Sequence, residues 1–427
     1  MTTRRTFLKV SAAASTGLIG GELFAQSQKS NSLPAPIAAL KSVKDQARPI
    51  SKEEREQRIG RARQLMSENH LDAIVMSGGT SLVYFTGIKW WLSERFFGFI
   101  LPTKGRPFFV CPAFERDRAM EQISLGPFAG DPDLRLWQED EDPYALVAEG
   151  LKDRGLASPQ LGVEERTYFV YANRIAQAMP AAKLVSAILV TAGCRMIKSA
   201  HELELMQLAN NVTWNAYKAA YESLKDGMTQ NDFAELVSAA HKQQGFEGGA
   251  DVQVGKYSAL PHGSIEPQVI HDGTILLIDG GGTVEGYQSD ISRTFVLGKA
   301  TDKMKKVFEI EHRAQSAALA AARPGVEAQS VDAAARKVIT DAGYGPDYKY
   351  FTHRVGHGIG MDGHEWPYLV RGDTIKLQPN MCFSDEPGIY IRGEFGVRLE
   401  DDMHITEDGA KLFTPQSPSL EDPFGKA

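Results

Sequence analysis

Residues 275–298 read ILLIDGGGTVEGYQSDISRTFVLG, and the architecture turns on how this stretch is understood. An apolar run ends in Asp279, three glycines follow, and a second strand-like run carries Asp290. Two adjacent strands joined by a turn would bring these carboxylates together. The scheme recurs downstream, where FSDEPGIYI (383–391) offers Glu386 and FGVRLEDDMHIT (395–406) offers Glu400. Between the two pairs lies FTHRVGHGIGMDGHEWP (351–367), rich in glycine and histidine, with Arg354 and an acidic pair. A packing element wants apolar periodicity and few glycines. This run has neither, so it reads as a site, with His357 at its centre.

Two Asp, two Glu and one His form a hard, oxygen-rich ligand set with one borderline imidazole. That set suits Mn, Co, Zn or Fe in a paired site better than a lone structural zinc. Four carboxylates packed together without cations would repel one another and titrate upward. Two dications about 3.5–4 Å apart remove that penalty and lower the pKa of a shared water toward neutrality. Glycines around His357 would let the backbone approach such a crowded centre closely.

Working outward, a long helical pattern opens at Ser199 and runs into KDGMTQNDFAELVSAAHKQQGF, which compares with RPGVEAQSVDAAARKVITDAGY at 323–344. Aligning Gly227 with Gly325 also aligns Gly245 with Gly343, with a helix between them each time. The pattern suggests a two-fold repeat of helix, turn, helix and strands. Upstream, Ser51 with Glu54 has capping-box spacing, and Ile59, Ala62, Leu65 and Met66 share one helical face. LDAIVMSG, FFGFILP, RPFFVC, LRLW and LGVEE read as strands, so residues 51–190 form a smaller α/β domain. Residues 26–50 lack sustained periodicity, hold three prolines and read as a linker.

The first 25 residues carry TRRTFLK, a small apolar run and LFAQ, the pattern of a signal peptide cleaved after Ala25. Its paired Arg4 and Arg5 resemble the twin-arginine export signal, which implies a periplasmic or secreted protein. The remainder contains no membrane span, and the net charge of −7 argues against nucleic acid as a partner. Cys111, Cys194 and Cys382 are too widely spaced to suggest a disulfide framework or a cysteine zinc site.

The phrases LIDGGG, GYQSDISRTF, HRVGHGIG, HEWP, DEPGIY and GVRLEDD stand in the order that resembles the M24 metallopeptidases, the methionine aminopeptidase/prolidase family. Residues 195–415 resemble its catalytic domain, and 51–190 the N-terminal domain of prolidase, aminopeptidase P and creatinase. The resemblance implies an α+β pita-bread fold with pseudo-two-fold halves behind the smaller α/β domain. It implies two divalent ions, Mn2+ first, with Co2+, Zn2+ or Fe2+ as alternatives. Asp279 would chelate one ion, His357 and Glu386 the other, while Asp290 and Glu400 bridge. Glu386 would also accept the proton of the attacking water. His262, His353 and His364 match substrate- and intermediate-binding histidines, and Arg398 would support the site electrostatically. The implied activity is cleavage of the Xaa-Pro bond in dipeptides or short peptides, by a homodimer.

Other readings of the same fold are a lyase or hydrolase acting on a small metabolite, and a silent binding module. An intact pentad argues against the silent module and against creatinase, which lacks the pentad. A lone Asp in a turn is more often a cap than a ligand. His271 and His404 are claimed by no motif, Cys382 reads as a small buried residue, and Trp90 and Trp91 as core. Two departures from relatives are Asn380, where Gly is common, and Asp385 directly before Glu386. The short span between Glu386 and Glu400 suggests a trimmed hairpin over the site.

Overall fold

The computed structural model describes residues 32–425. The expected signal peptide therefore lies outside the described residues. The described part of the expected linker is anchored: Ala35–Ala38 form a short helix with Ile37 fully buried, and Ile50 is buried too. Ile37 packs among Ala216, Ala219 and Ala240, so isolated apolar residues hold a stretch with no periodicity of its own.

The first domain is a six-stranded mixed sheet in the order Leu134–Trp137, Phe108–Pro112, Gly98–Pro102, Ala73–Met76, Gln160–Val163, Lys183–Ser186. Its central strands are buried along their whole length, which suits their runs of Ile, Val and Phe. The Lys52–Glu68 helix starts in the expected capping box, with Glu54 N donating to Ser51 Oγ and Ser51 N to the Glu54 carboxylate. Ile59, Ala62, Leu65 and Met66 line its buried face. The two tryptophans divide. Trp90 is buried against Phe97, whereas Trp91 is 56% exposed with the Arg118 guanidinium over its ring. Only the first belongs to the core.

The second domain contains two helix pairs. Ala200–Tyr221 and Gln230–Gln243 form one, Asp302–Ala321 and Ala328–Asp341 the other. Gly227 and Gly325, aligned from the sequence, both have φ +83°, a left-handed turn entering the shorter helix of each pair. Three antiparallel strands follow the first pair (Ile291–Val296, Ile275–Gly280, Asp251–Val254). A five-stranded sheet and the Gly388–Ile391/Phe395–Arg398 hairpin follow the second. The halves are stitched where Glu400 N donates to Ser292 O and Arg398 N to Thr294 Oγ1, and again where Gln288 N donates to Gly360 O. Asn380 has φ +68°, so it fills a left-handed turn that otherwise favours glycine.

Candidate metal centre

Each of the five expected ligands is delivered by a strand or its end. Asp279 lies at the end of Ile275–Gly280, directly opposite Ser292, and Asp290 precedes Ile291–Val296. His357 is in the middle of Gly356–Gly358, Glu386 follows Cys382–Asp385, and Glu400 precedes Asp401–Ile405. Ligand atoms of Asp279, Asp290 and Glu400 all lie within 4.8 Å of one another, as do those of His357, Glu386 and Glu400. The two triads share Glu400. His357 Nε2 is 3.2 Å from Glu386 Oε1 and 3.9 Å from Asp290 Oδ2, so Asp290 also faces both triads.

The glycines around His357 serve a slightly different purpose from the one expected. A Cβ on Gly356 would stand 2.0 Å from Ser384 O, and one on Gly358 2.7 Å from Glu365 O. The close approach is strand against strand, and it presses the histidine backbone between its neighbours.

The charges are compatible with a cation pair. Burial, then repulsion from Asp279, pushes the Asp290 acid well up, and burial with repulsion from Asp290 does the same to Glu400. Burial also works against Glu386, but the hydrogen bond and charge of His357 outweigh it and hold Glu386 down to about 2. Burial would lower His357, yet its Glu386 partner raises it to about 9. Buried carboxylates that repel one another beside a proton-holding imidazole form a donor set that divalent ions would satisfy.

A cavity opens over this face, lined by the five residues with His262, His353, Arg354, His364 and Arg398. All expected site residues are thus brought together. His364 stacks on His357 with ring centroids 3.8 Å apart, and burial followed by the His357 charge holds it down to about 4. His353 spends both ring nitrogens inside the protein. Its Nδ1 is 2.8 Å from Arg354 O, which only accepts, so Nε2 receives the Tyr390 hydroxyl proton at 2.7 Å. Arg398 Nη1 in turn donates to Tyr390 Oη and to Pro261 O, next to His262. Arg398 Nη2 is 2.6 Å from Asp279 Oδ2.

Sequence reasoning missed Ser292 and Tyr390. Ser292 Oγ sits between Asp279 Oδ1 (2.8 Å) and Glu400 Oε2 (2.6 Å) and accepts from Arg398 Nε. The signal was present: strand alternation puts Ser292, two residues past Asp290, on the same face. Also missed was a clamp from the first domain. Asp362 accepts from Thr80 Oγ1 at 2.6 Å and pairs with Arg166 at 2.8 Å and Arg195 at 3.2 Å. Glu365 pairs with Lys198 at 3.3 Å, and its carboxylate receives the amides of Met361 and Asp362. The loop bearing His364 is therefore held from both domains. Elsewhere, His271 is exposed beside Asp226, His404 packs on Phe413, and burial pushes the Cys382 thiol up to about 12.

The pattern of Metallopeptidase family M24 matches residues 204–407, and that of the Creatinase/Prolidase N-terminal domain matches 58–197. The Xaa-Pro dipeptidase of Lactobacillus delbrueckii subsp. lactis is 36% identical over 83% of this chain and 96% of its own length. The dipeptidase PepE structure from Mycobacterium ulcerans superposes with a TM-score of 0.80 at 32% identity, covering 88% of this chain and 99% of its own. The X-Pro aminopeptidase structure from Thermotoga maritima gives 0.68 at 28% identity, covering 83% and 97%. A pita-bread catalytic domain behind a creatinase-like domain, with the five candidate ligands on one cavity, makes this chain a member of metallopeptidase family M24.

Proposed function

We propose that this chain is a metal-dependent Xaa-Pro peptidase acting as a dipeptidase. The observation that carries the reading is the pair of ligand triads sharing Glu400 beneath a cavity edged by His262 and His364. Asp279, Asp290, His357, Glu386 and Glu400 would hold two divalent cations. When bound, the cations supply Lewis acidity and a water of lowered pKa. Mn2+ is the ion we assign, since a carboxylate-rich set suits it.

The remaining steps fall to the protein. Glu386 turns Oε1 toward His357, leaving Oε2 as the atom to take a proton from the attacking water. His364, held neutral, can donate one N–H to the oxygen that gains charge as the peptide carbonyl becomes tetrahedral. His262 reaches the same cavity from the loop that Arg398 ties down through Pro261 O. His353 acts by fixing Tyr390 and, through it, Arg398. The cavity of about 150 Å³ is below the roughly 300–1,000 Å³ of drug-sized ligand sites, which favours a short substrate.

The reading includes export by the twin-arginine route to the periplasm or beyond, supported by Arg4, Arg5 and the small apolar run behind them. It also includes a homodimer, to be checked by light scattering. Chelator-dialysed protein resupplied with Mn, Co or Zn should regain cleavage of Ala-Pro. Regained cleavage of Ala-Pro-Ala as well would make it an aminopeptidase. Two bound metals without cleavage of either peptide would redirect the assignment to a small-metabolite reaction.

A further inference from the structure

Asn210 and Thr213 stand one turn apart on the helix Ala200–Tyr221, and both are fully buried. A buried amide or hydroxyl is costly unless its hydrogen bonds are met, so each needs a partner. Asn210 spends both Nδ2 protons at 3.0 Å, one on Met206 O of its own helix and one on Asp402 Oδ2. The same oxygen accepts the backbone N–H of Asp290 at 3.0 Å. Asp402 is fully buried too, and no other described residue donates to its carboxylate. Thr213 reaches the residue before Asp290. His241 Nδ1 is 2.9 Å from Val237 O, which only accepts, so Nε2 receives the Thr213 hydroxyl proton at 2.9 Å. Thr213 Oγ1 is then the acceptor for Ser289 Oγ at 2.9 Å, and Ser289 Oγ accepts from Gly282 N at 3.1 Å.

We infer that Asn210 and Thr213 are positioning residues for the candidate bridging ligand Asp290, and that they set how tightly the second divalent cation is held. The inference rests on the two-cation reading above and extends it to residues outside the cavity. A carboxylate that faces both triads must keep its oxygens aimed at two ions at once. Asn210, through Asp402, fixes the Asp290 backbone, and Thr213 pins its neighbour Ser289, so the carboxylate loses the freedom to swing toward one ion alone. Neither Asn210 nor Thr213 lines the cavity, so their effect reaches the site only through Asp290.

The test titrates the chelator-dialysed full chain with MnCl2 by calorimetry, for the wild type, Asn210→Leu, Thr213→Val and Thr213→Ser. Val212→Ala is the control, because Val212 is buried on the opposite side of the same helix. Residues that orient ligands typically change metal affinity about 10–100-fold, so Asn210→Leu should weaken the second Mn2+ by that factor and leave the first within about threefold. Thr213→Val should weaken the second ion about tenfold, whereas Thr213→Ser, which keeps the hydroxyl, should stay within about threefold of the wild type. Val212→Ala should lower the melting temperature and leave both affinities in place. Unchanged affinities in Asn210→Leu, an equal weakening in Val212→Ala, or equal losses in Thr213→Ser and Thr213→Val would overturn the inference. If Asn210→Leu fails to fold, the Thr213 pair decides. If the wild type binds a single Mn2+, the paired reading fails. A loss of the same size at that one ion in Asn210→Leu would still support the positioning role, and its absence would overturn it.

Discussion

Both domains bury an apolar core, but the second adds a dense set of buried charges behind its candidate metal face. Around the Ala73–Met76 strand the first domain encloses Ile74, Phe85, Phe97, Phe99, Leu101 and Phe109, with aromatic pairs such as Phe99 and Phe109 at 4.9 Å. Behind the metal face, the second domain buries Arg293, Glu311, Asp385, Arg398, Glu400, Asp401 and Asp402. No described residue donates a hydrogen bond to the side chains of Glu311 or Asp385, and burial pushes both acids well up. The first interior is stabilised by removing apolar surface from water. The second carries a charge burden that only well-placed partners offset. The second domain thus carries its charged face on an apolar cluster of its own, which includes Ile275, Val307, Phe383 and Met403.

The largest effect should come from removing a shared ligand. Asp290→Ala should lose bound metal and drop activity by more than the roughly 10–100-fold typical of supporting residues, with the first-domain sheet intact by circular dichroism. Metal content by atomic emission is the direct check, and full occupancy with full activity would dissolve the contrast. Next comes Arg293→Met. Arg293 and Asp401 are fully buried and 2.6 Å apart, so the substitution strands a carboxylate and should cost about 3–5 kcal/mol in urea unfolding.

A pH series then probes the charged interior. In the chelated protein His357 is raised to about 9, so its stabilisation is present below its ordinary value of 6.5 and fades as pH rises through 9. The change is on the order of 3 kcal/mol. Cations replace those protons, so the melting-temperature gap between Mn-loaded and chelated protein should widen from pH 6 to 9. A constant gap would mean that His357 is not displaced from its proton by metal. The smallest effect belongs to the apolar interior: Ile74→Val should cost about 0.5–1.5 kcal/mol and leave metal stoichiometry untouched.

How far the sequence could be read follows the same divide. The candidate ligands, which the structure brings onto one cavity, and the helix starts were legible because each is a local pattern: Asp279 before a glycine turn, Ser51 with Glu54, Ser199 with Glu202. Even the repeat could be found, because left-handed turns demand glycine at Gly227 and Gly325. The supporting web was not legible. Tyr390, Arg398 and His353 meet only because a hairpin folds back over the site, and Thr80 reaches Asp362 across 282 residues. Anchoring by Ile37 was hidden for the opposite reason, since one buried side chain has no periodicity to betray it. Asn380 looked like a departure from relatives, and its φ of +68° is the left-handed conformation that glycine adopts freely.

The clamp on Asp362 bears on modularity. Arg166 and Thr80 come from the first domain, Arg195 from the helix that closes it, yet their common partner lies in the loop that presents His364. Cutting the chain near residue 197 would strip Asp362 of Thr80, Arg166 and Arg195, and would leave Arg195 with Glu165 alone of its three carboxylate partners. The second domain could keep its five candidate ligands and still lose the placement of one histidine. The smaller domain is therefore no detachable passenger: it supplies the charges and the hydroxyl that hold the loop presenting His364.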